Sequence, residues 1–190
     1  MFTRCPFLLL AFVAVGACAP APQRASAAPE ANCHPGFISD SAVAGLPIGA
    51  SVASVKQHCR VLEDTTALGS EAQPERTLLV EIGSDSLVAV IDSDKVWRIE
   101  IVSPRLNTKD SLRVGIRLSR LLRDTSAHAL IGEGSYYVVM RSHCGLSFAL
   151  PSIELSEPTG DLDAAKLREL PDTLRIQEIL VVGCSSDGAA

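Results

Sequence analysis

Residues 87–102 read LVAVIDSDKVWRIEIV, and they carry the clearest strand signal in the chain. Two runs rich in β-branched and apolar residues flank the polar tetrapeptide Asp92–Lys95, which is typical of a tight turn. In the second run Trp97, Ile99 and Ile101 alternate with polar residues, which indicates a strand with one wet face. The stretch predicts an antiparallel hairpin with Trp97 in the core; an exposed Trp97 anchor is the alternative.

Strand-like runs continue on both sides of this hairpin. They lie at Thr77–Ile82, Ser135–Arg141, Leu146–Pro151 and Leu174–Val182. A polar insertion with a helical pattern at Ala164–Leu170 separates the last two runs. Turn residues between the runs favour antiparallel connections.

Two segments 66 positions apart look alike: residues 46–49 read LPIG and residues 112–115 read LRVG. Each is followed by a short run with apolar residues at helical spacing. Ser51 is placed to cap the first helix, and Leu118 and Leu121 share one face of the second. We therefore expect an α+β fold of two tandem repeats, each a short helix followed by a three-stranded antiparallel meander.

The two LPIG/LRVG starts, each followed by a short helix and a meander, resemble the units of small bacterial envelope lipoproteins of the BamE type. They are also similar to the tandem units of the β-lactamase inhibitory protein. Those families have a helical pair in each unit, whereas one helix per unit is clear in this sequence. The resemblance implies a role in binding or scaffolding other proteins.

The N-terminus has the features of an export signal. Arg4 precedes an apolar run from Pro6 to Val15, which is shorter than the roughly 20 helical residues that are needed to span a bilayer. The run ends in Val15–Cys18, VGAC, which resembles the lipobox of bacterial lipoproteins and implies a lipid on Cys18. Ordinary secretion, with cleavage after the small residues Ala25–Ala27, is the alternative.

These features divide the chain as follows: a signal peptide at 1–17, a lipidated tether at 18–32 and a single α+β domain at 33–190, with repeat one at 33–105 and repeat two at 106–190. Removing residues 1–17 takes away only Arg4 from 17 basic residues, which leaves 16 against 22 acidic residues and a net charge of −6. This acidity argues against nucleic acid as a partner.

Four cysteines remain in the predicted domain: Cys33, Cys59, Cys144 and Cys184. Outside the cytosol four thiols favour two disulfides, for which three pairings exist. The repeat favours one bridge in each half, Cys33 to Cys59 and Cys144 to Cys184.

Three Cys/His doublets, at 33–34, 58–59 and 143–144, have side chains that suit copper or zinc. Adjacent residues on a strand point to opposite faces, so we expect disulfides and no metal or cofactor. A periplasmic carrier of a small ligand or metal, with His58 or His143 at the mouth of a cleft, is the alternative function.

No catalytic constellation is evident in the sequence. Residues 145–149, GLSFA, approach a nucleophile elbow around Ser147, but an apolar run without a following helix favours a strand. Asp92 and Asp94 lack the rest of a calcium loop, and residues 132–134, GEG, lack the context of a phosphate cradle. We therefore expect no enzyme; a pocket that holds His143 beside a perturbed carboxylate would argue otherwise.

An arginine stripe is the most distinctive predicted surface feature. Its members are Arg113, Arg117, Arg120 and Arg123. The stripe suits anionic lipid headgroups or an acidic partner, whereas a solvated helix face balanced by carboxylates is the alternative. The sequence thus predicts an exported lipoprotein at the outer membrane or its periplasmic face that binds or scaffolds another envelope protein. A soluble secreted or periplasmic protein is the alternative location.

Overall fold

The computed structural model describes residues 28–69, 73–132, 134–151, 160–171 and 173–184. The predicted signal peptide, Cys18 and the tether up to residue 27 lie outside the described residues.

The described chain is dominated by strands. In order, the elements are β1 (Ile38–Ser39), β2 (Ala42–Val43), β3 (Leu46–Pro47), α1 (Val52–His58), β4 (Arg60–Leu68), β5 (Pro74–Ile82), β6 (Asp85–Asp92), β7 (Lys95–Ile101), α2 (Leu118–Leu121), β8 (His128–Gly132), β9 (Ser135–Met140), β10 (His143–Ala149), α3 (Ala164–Glu169) and β11 (Glu178–Val181). β1–β3 form a small sheet. The other eight strands form one antiparallel sheet in the order β4-β5-β6-β7-β11-β10-β9-β8.

The hairpin predicted at residues 87–102 is confirmed as β6 and β7. Its turn has Ser93 and Asp94 at φ values of 48° and 61°, which matches the twist of a two-residue hairpin turn. The expectation of a core Trp97 is wrong, because 42% of its surface is exposed. The register shifts between Val90 and Ile91, so that Val96 and Arg98 are paired and Trp97 is the extra residue of a bulge.

The prediction of two tandem helix-plus-meander repeats is wrong. β7 pairs with β11, which joins the strands of both expected repeats into one continuous sheet. The structure is mostly β, and the chain that follows α1 forms the nine-residue strand β4. The physical reason is that the last strand of a meander leaves an unpaired backbone edge, and these two edges satisfy each other.

The core lies on one face of the large sheet. Its side chains include Leu78, Val80, Ile99, Phe148 and Ile179, each fully buried. The helices pack on this face through the apolar positions that the sequence indicates.

Each helix follows its local signals. Val52 and Val55 of α1 and Leu118 and Leu121 of α2 are buried. Ser51 caps α1 as predicted, since its hydroxyl accepts from the Ser54 N–H at 3.1 Å. The helix predicted at Ala164–Leu170 is confirmed as α3, which Asp163 caps.

Two disulfides are present, and they have the predicted pairing. Cys33–Cys59 ties the chain before β1 to the end of α1, and Cys144–Cys184 ties β10 to the chain after β11. The Cα atoms are 5.1 Å apart in both bridges. Because disulfides persist in oxidising compartments, they indicate an extracellular or periplasmic location. Within the described ranges, every helix is too short or too polar to cross a bilayer.

Gly145 holds the small sheet close to the large one. A Cβ at this position would collide with the backbone carbonyl of Asp40 in the β1–β2 turn. The Gly145 carbonyl also accepts from the Val182 N–H at 2.9 Å, so the backbone is fixed from the other side. A side chain at residue 145 therefore cannot be accommodated by a rotamer change.

We predict that Gly145→Ala lowers the free energy of unfolding by about 2 kcal/mol, because backbone must move to relieve the overlap. Urea unfolding followed by circular dichroism measures the change. Gly132→Ala is the matched control, since a Cβ there meets only the Tyr137 ring at 3.7 Å. Equal stability of the Gly145→Ala variant and the wild type would contradict the close approach.

Candidate functional site: an arginine-lined cleft

The loop that carries the predicted arginine stripe is held by backbone hydrogen bonds to the segment before β11. The Gly115 N–H donates to the Ile176 carbonyl at 2.8 Å, and the Ile176 N–H donates to the Ile116 carbonyl at 2.9 Å. An antiparallel bridge pairs Arg117 with Arg175. The two arginines are therefore direct cross-strand neighbours.

This arrangement builds an open cleft with a volume of about 770 Å³. Six arginines line it: Arg105, Arg113, Arg117, Arg120, Arg123 and Arg175. All four arginines of the predicted stripe contribute. Sequence reasoning missed Arg105 and Arg175, because each enters the cleft only through the pairing of β7 with β11.

Local contacts position three of these side chains. The Arg175 guanidinium donates to the Gly115 carbonyl at 2.7 Å, and that of Arg120 donates to the Asp110 carbonyl at 3.2 Å. Arg105 forms an ion pair with Asp85 at 2.7 Å at the border of the cleft. Only Arg105 is therefore neutralised by a carboxylate that the structure describes.

The other five guanidinium groups have no described carboxylate within 4.0 Å, a set that consists of Arg113, Arg117, Arg120, Arg123 and Arg175. No ion pair with a described carboxylate supports the alternative of a balanced helix face, although Asp110 and Asp124 line a neighbouring pocket to which Arg120 and Arg123 also contribute. Outside the cleft, Arg60, Arg76 and Arg98 form ion pairs with carboxylates, for example Arg60 with Glu81 at 2.9 Å, whereas Arg141 and Arg168 have no described carboxylate partner. The cleft therefore brings several arginines without a described carboxylate partner together at one place on an acidic protein.

The Arg117–Arg175 pair is electrostatically unfavourable by itself. Like charges directly opposite each other on an antiparallel pair destabilise it. An anion between the two guanidinium groups would reverse the sign of this interaction. Because the guanidinium group is planar and presents parallel N–H donors, it binds carboxylate and phosphate groups in bidentate geometry. The cleft is thus suited to hold anionic groups.

A second pocket of about 220 Å³ shares Arg120 and Arg123 with the cleft and contains His143. The His143 ring lies between two carboxylates: its Nε2 is 3.2 Å from Asp110 Oδ2, and its Nδ1 is 3.6 Å from Asp40 Oδ1. Both ring nitrogens therefore face carboxylate oxygens.

The carboxylates of this second pocket are held in the ionised form. Burial raises the pKa of Asp110, but hydrogen bonds from Thr108 and His143 outweigh it and lower that pKa below the ordinary value. The pKa of Asp124 falls to about 2, because the hydroxyls of Ser126 and Ser142 and the Ser126 N–H donate to it.

The pocket meets the condition that would argue for an enzyme, since His143 lies beside perturbed carboxylates. A lowered pKa makes a carboxylate a weaker base, however, and general bases work best with a pKa near the operating pH. The imidazole nitrogens are also engaged. The geometry does not assemble an activated nucleophile, and we assign no catalytic role.

The cysteine sulfurs that a zinc or copper site would use as ligands are bonded to each other in disulfides. Asp40, Cys144 and Cys184 place ligand atoms within 4.8 Å of one another, but both sulfurs belong to a disulfide. Cys33 and Cys59 are likewise bonded to each other. A disulfide sulfur is not the thiolate that zinc or copper binds.

The remaining candidate motifs have structural roles. Ser147 lies within β10, opposite Val139 and Leu180, so no strand-to-helix elbow surrounds it. Asp94 lies in the β6–β7 turn and pairs with Arg76 at 3.3 Å. Gly132 ends β8, and residue 133 lies outside the described residues.

Comparisons with known proteins give a likeness of fold. No family model matches the chain, and no curated protein matches it significantly. A crystal structure of the uncharacterized protein yfeY from Escherichia coli is similar, with a TM-score of 0.57 and 11% identity over 77% of this chain and 99% of that chain. This likeness concerns the fold alone. It lends no support to the predicted BamE-type or inhibitory-protein resemblance, which stays a prediction.

The lowered pKa of Asp124 predicts that the stability of the protein depends on pH. The pKa of Asp124 in the folded protein, about 2, is below the ordinary value of 3.8 for an aspartate, so its contribution to stability is present above pH 4 and is lost as the pH falls towards 2. We expect Asp124→Asn to lower the free energy of unfolding by about 1 kcal/mol at pH 7 and to flatten the slope between pH 4 and 2. Urea unfolding at each pH measures both effects. If the free energy of unfolding of the Asp124→Asn protein fell between pH 4 and 2 as steeply as that of the wild type, the lowered pKa of Asp124 would be refuted.

Proposed function

We propose that this chain is an exported lipoprotein of the bacterial cell envelope that acts as a binding or scaffolding module for another envelope protein. The arginine cleft is its binding surface. The observation that carries the proposal is the concentration of five guanidinium groups without a described carboxylate partner in one cleft of an acidic protein.

The proposed localisation rests on the sequence of residues 15–18, VGAC, with Cys18 as the lipidated residue. The two disulfides support an oxidising compartment. The soluble secreted or periplasmic alternative differs only in whether Cys18 is retained and lipidated.

A binding role fits the chemistry of the cleft better than catalysis does. Its charged side chains are always protonated and therefore cannot accept protons, while they form strong charge-assisted hydrogen bonds to anions. Carriage of a small anion is the second candidate function, because a cleft of about 770 Å³ is within the range of small-molecule sites.

The lipid anchor is tested by mass spectrometry and membrane fractionation of the wild type and of Cys18→Ser. We expect a diacylglyceryl mass on Cys18 and membrane association in the wild type, and neither in the variant, because the acyl chains supply the membrane affinity. A mature N-terminus after Ala27 would instead establish ordinary secretion.

The binding surface is tested by photocrosslinking in intact cells, with a photoreactive amino acid at Ser119 in the cleft. We expect one discrete protein adduct, and we expect Arg113→Gln/Arg117→Gln to remove it by deleting two of the unpaired charges. The same photoreactive residue at Thr66 on β4 is the control for nonspecific adducts. Identical adducts from both positions would contradict the cleft as the binding surface.

A further inference from the structure

The charges of the cleft are distributed rather than focused on one point. Arg113 and Arg117 lie on the extended loop, Arg175 lies across from Arg117, and Arg120 and Arg123 continue along and beyond α2. A carboxylate or phosphate group typically pairs with one guanidinium group through two parallel hydrogen bonds. A ligand that matches five such groups therefore carries several anionic groups in a row.

The cleft also lies far from the point where the tether leaves the domain. Pro29 packs near Gly49, whose N–H donates to the carbonyl of Val96 at the start of β7. Arg105 follows the opposite end of β7, a strand of seven residues. At a rise of about 3.4 Å per residue, this strand separates the two points by roughly 20 Å.

This placement bears on the source of the negative charge. The arginines lie at the end of β7 opposite to Pro29, the end from which the chain runs back towards the proposed anchor. We therefore take a protein segment in the aqueous phase, rather than the headgroups of the anchoring bilayer, as the occupant to test first.

The walls of the cleft suit a polypeptide as well. Between the arginines, the lining includes Pro104, Val114 and Ile116 together with the hydroxyls of Ser111 and Ser119. An extended chain places its side chains alternately on two faces, so that acidic residues can meet the guanidinium groups while intervening residues contact the apolar wall.

We propose that the partner inserts an extended segment rich in aspartate and glutamate into the arginine cleft. This inference rests on the proposed function and names the chemistry of the partner. Each carboxylate forms charge-assisted hydrogen bonds with one guanidinium group, and the pair formed by Arg117 and Arg175 becomes favourable only when the segment is bound.

The test uses the lipidated protein in nanodiscs of neutral phosphatidylcholine. The probe is a fluorescent ten-residue peptide of alternating Glu and Ser, compared with its Gln/Ser analogue by fluorescence anisotropy. We expect the Glu peptide to bind, the Gln analogue not to bind, and binding to weaken with added salt, because exposed ion pairs are screened.

Arg113→Gln/Arg117→Gln is the test variant, since neither guanidinium group has a described hydrogen-bond partner, so the fold does not depend on them. Two exposed ion pairs lost together correspond to about a tenfold weaker affinity. Arg60→Gln/Lys95→Gln removes the same net charge from β4 and β7, and we expect less than a twofold effect. Unfolding curves of both variants confirm that they are folded.

Two further probes, phosphatidylglycerol vesicles and inorganic phosphate, distinguish an acidic protein segment from a lipid headgroup or a free anion. Phosphatidylglycerol vesicles or inorganic phosphate that bind in an Arg113/Arg117-dependent way, with no preference for the Glu peptide over the Gln analogue, would overturn the acidic-segment inference and leave the cleft as a binding surface. If none of the three probes binds, both the inference and the proposed function lose their binding surface.

Discussion

The pairing of β7 with β11 joins the two halves of the large sheet. It sets Ile99 opposite Val181 and Ile101 opposite Ile179, and all four side chains are buried. Without this pairing, the facing edges of β7 and β11 would leave backbone N–H and C=O groups unpaired in the middle of the sheet. Each such group costs about 1–3 kcal/mol if it is buried without a hydrogen-bond partner. The same pairing brings the chain that leaves β7 beside the chain that enters β11, and so places Arg105 and Arg175 at one cleft.

Electrostatics distinguish the cleft from the rest of the surface. Several charges elsewhere are paired; for example, Arg76 and Lys56 donate to Asp64 and hold the pKa of that carboxyl well below the usual range. In the cleft only Arg105 has such a partner among the described residues. The fold therefore stabilises its sheet with paired charges while it holds unpaired guanidinium groups at the end of that sheet.

Features governed by short-range physics were predictable. Apolar alternation located the β6–β7 hairpin, a serine hydroxyl before an apolar run located the start of α1, and Asp163 precedes α3 in the same way. Trp97 was misplaced because one bulge residue changes the side that a side chain faces. The tandem-repeat prediction failed because the local pattern of a meander does not reveal which neighbour its last strand will have.

Residue type and near neighbours were enough to predict the strand-rich pattern, the helix starts, the four half-cystines and the four arginines of the stripe. The sequence also contains the N-terminal pattern from which we propose export and lipidation of Cys18. The folded chain was needed to show that eight of the described strands form one sheet and that Arg105 and Arg175 join the stripe. The reason is that strand pairing between distant segments depends on backbone edges, which every residue offers alike, whereas the side chains that it brings together are 70 residues apart in the chain.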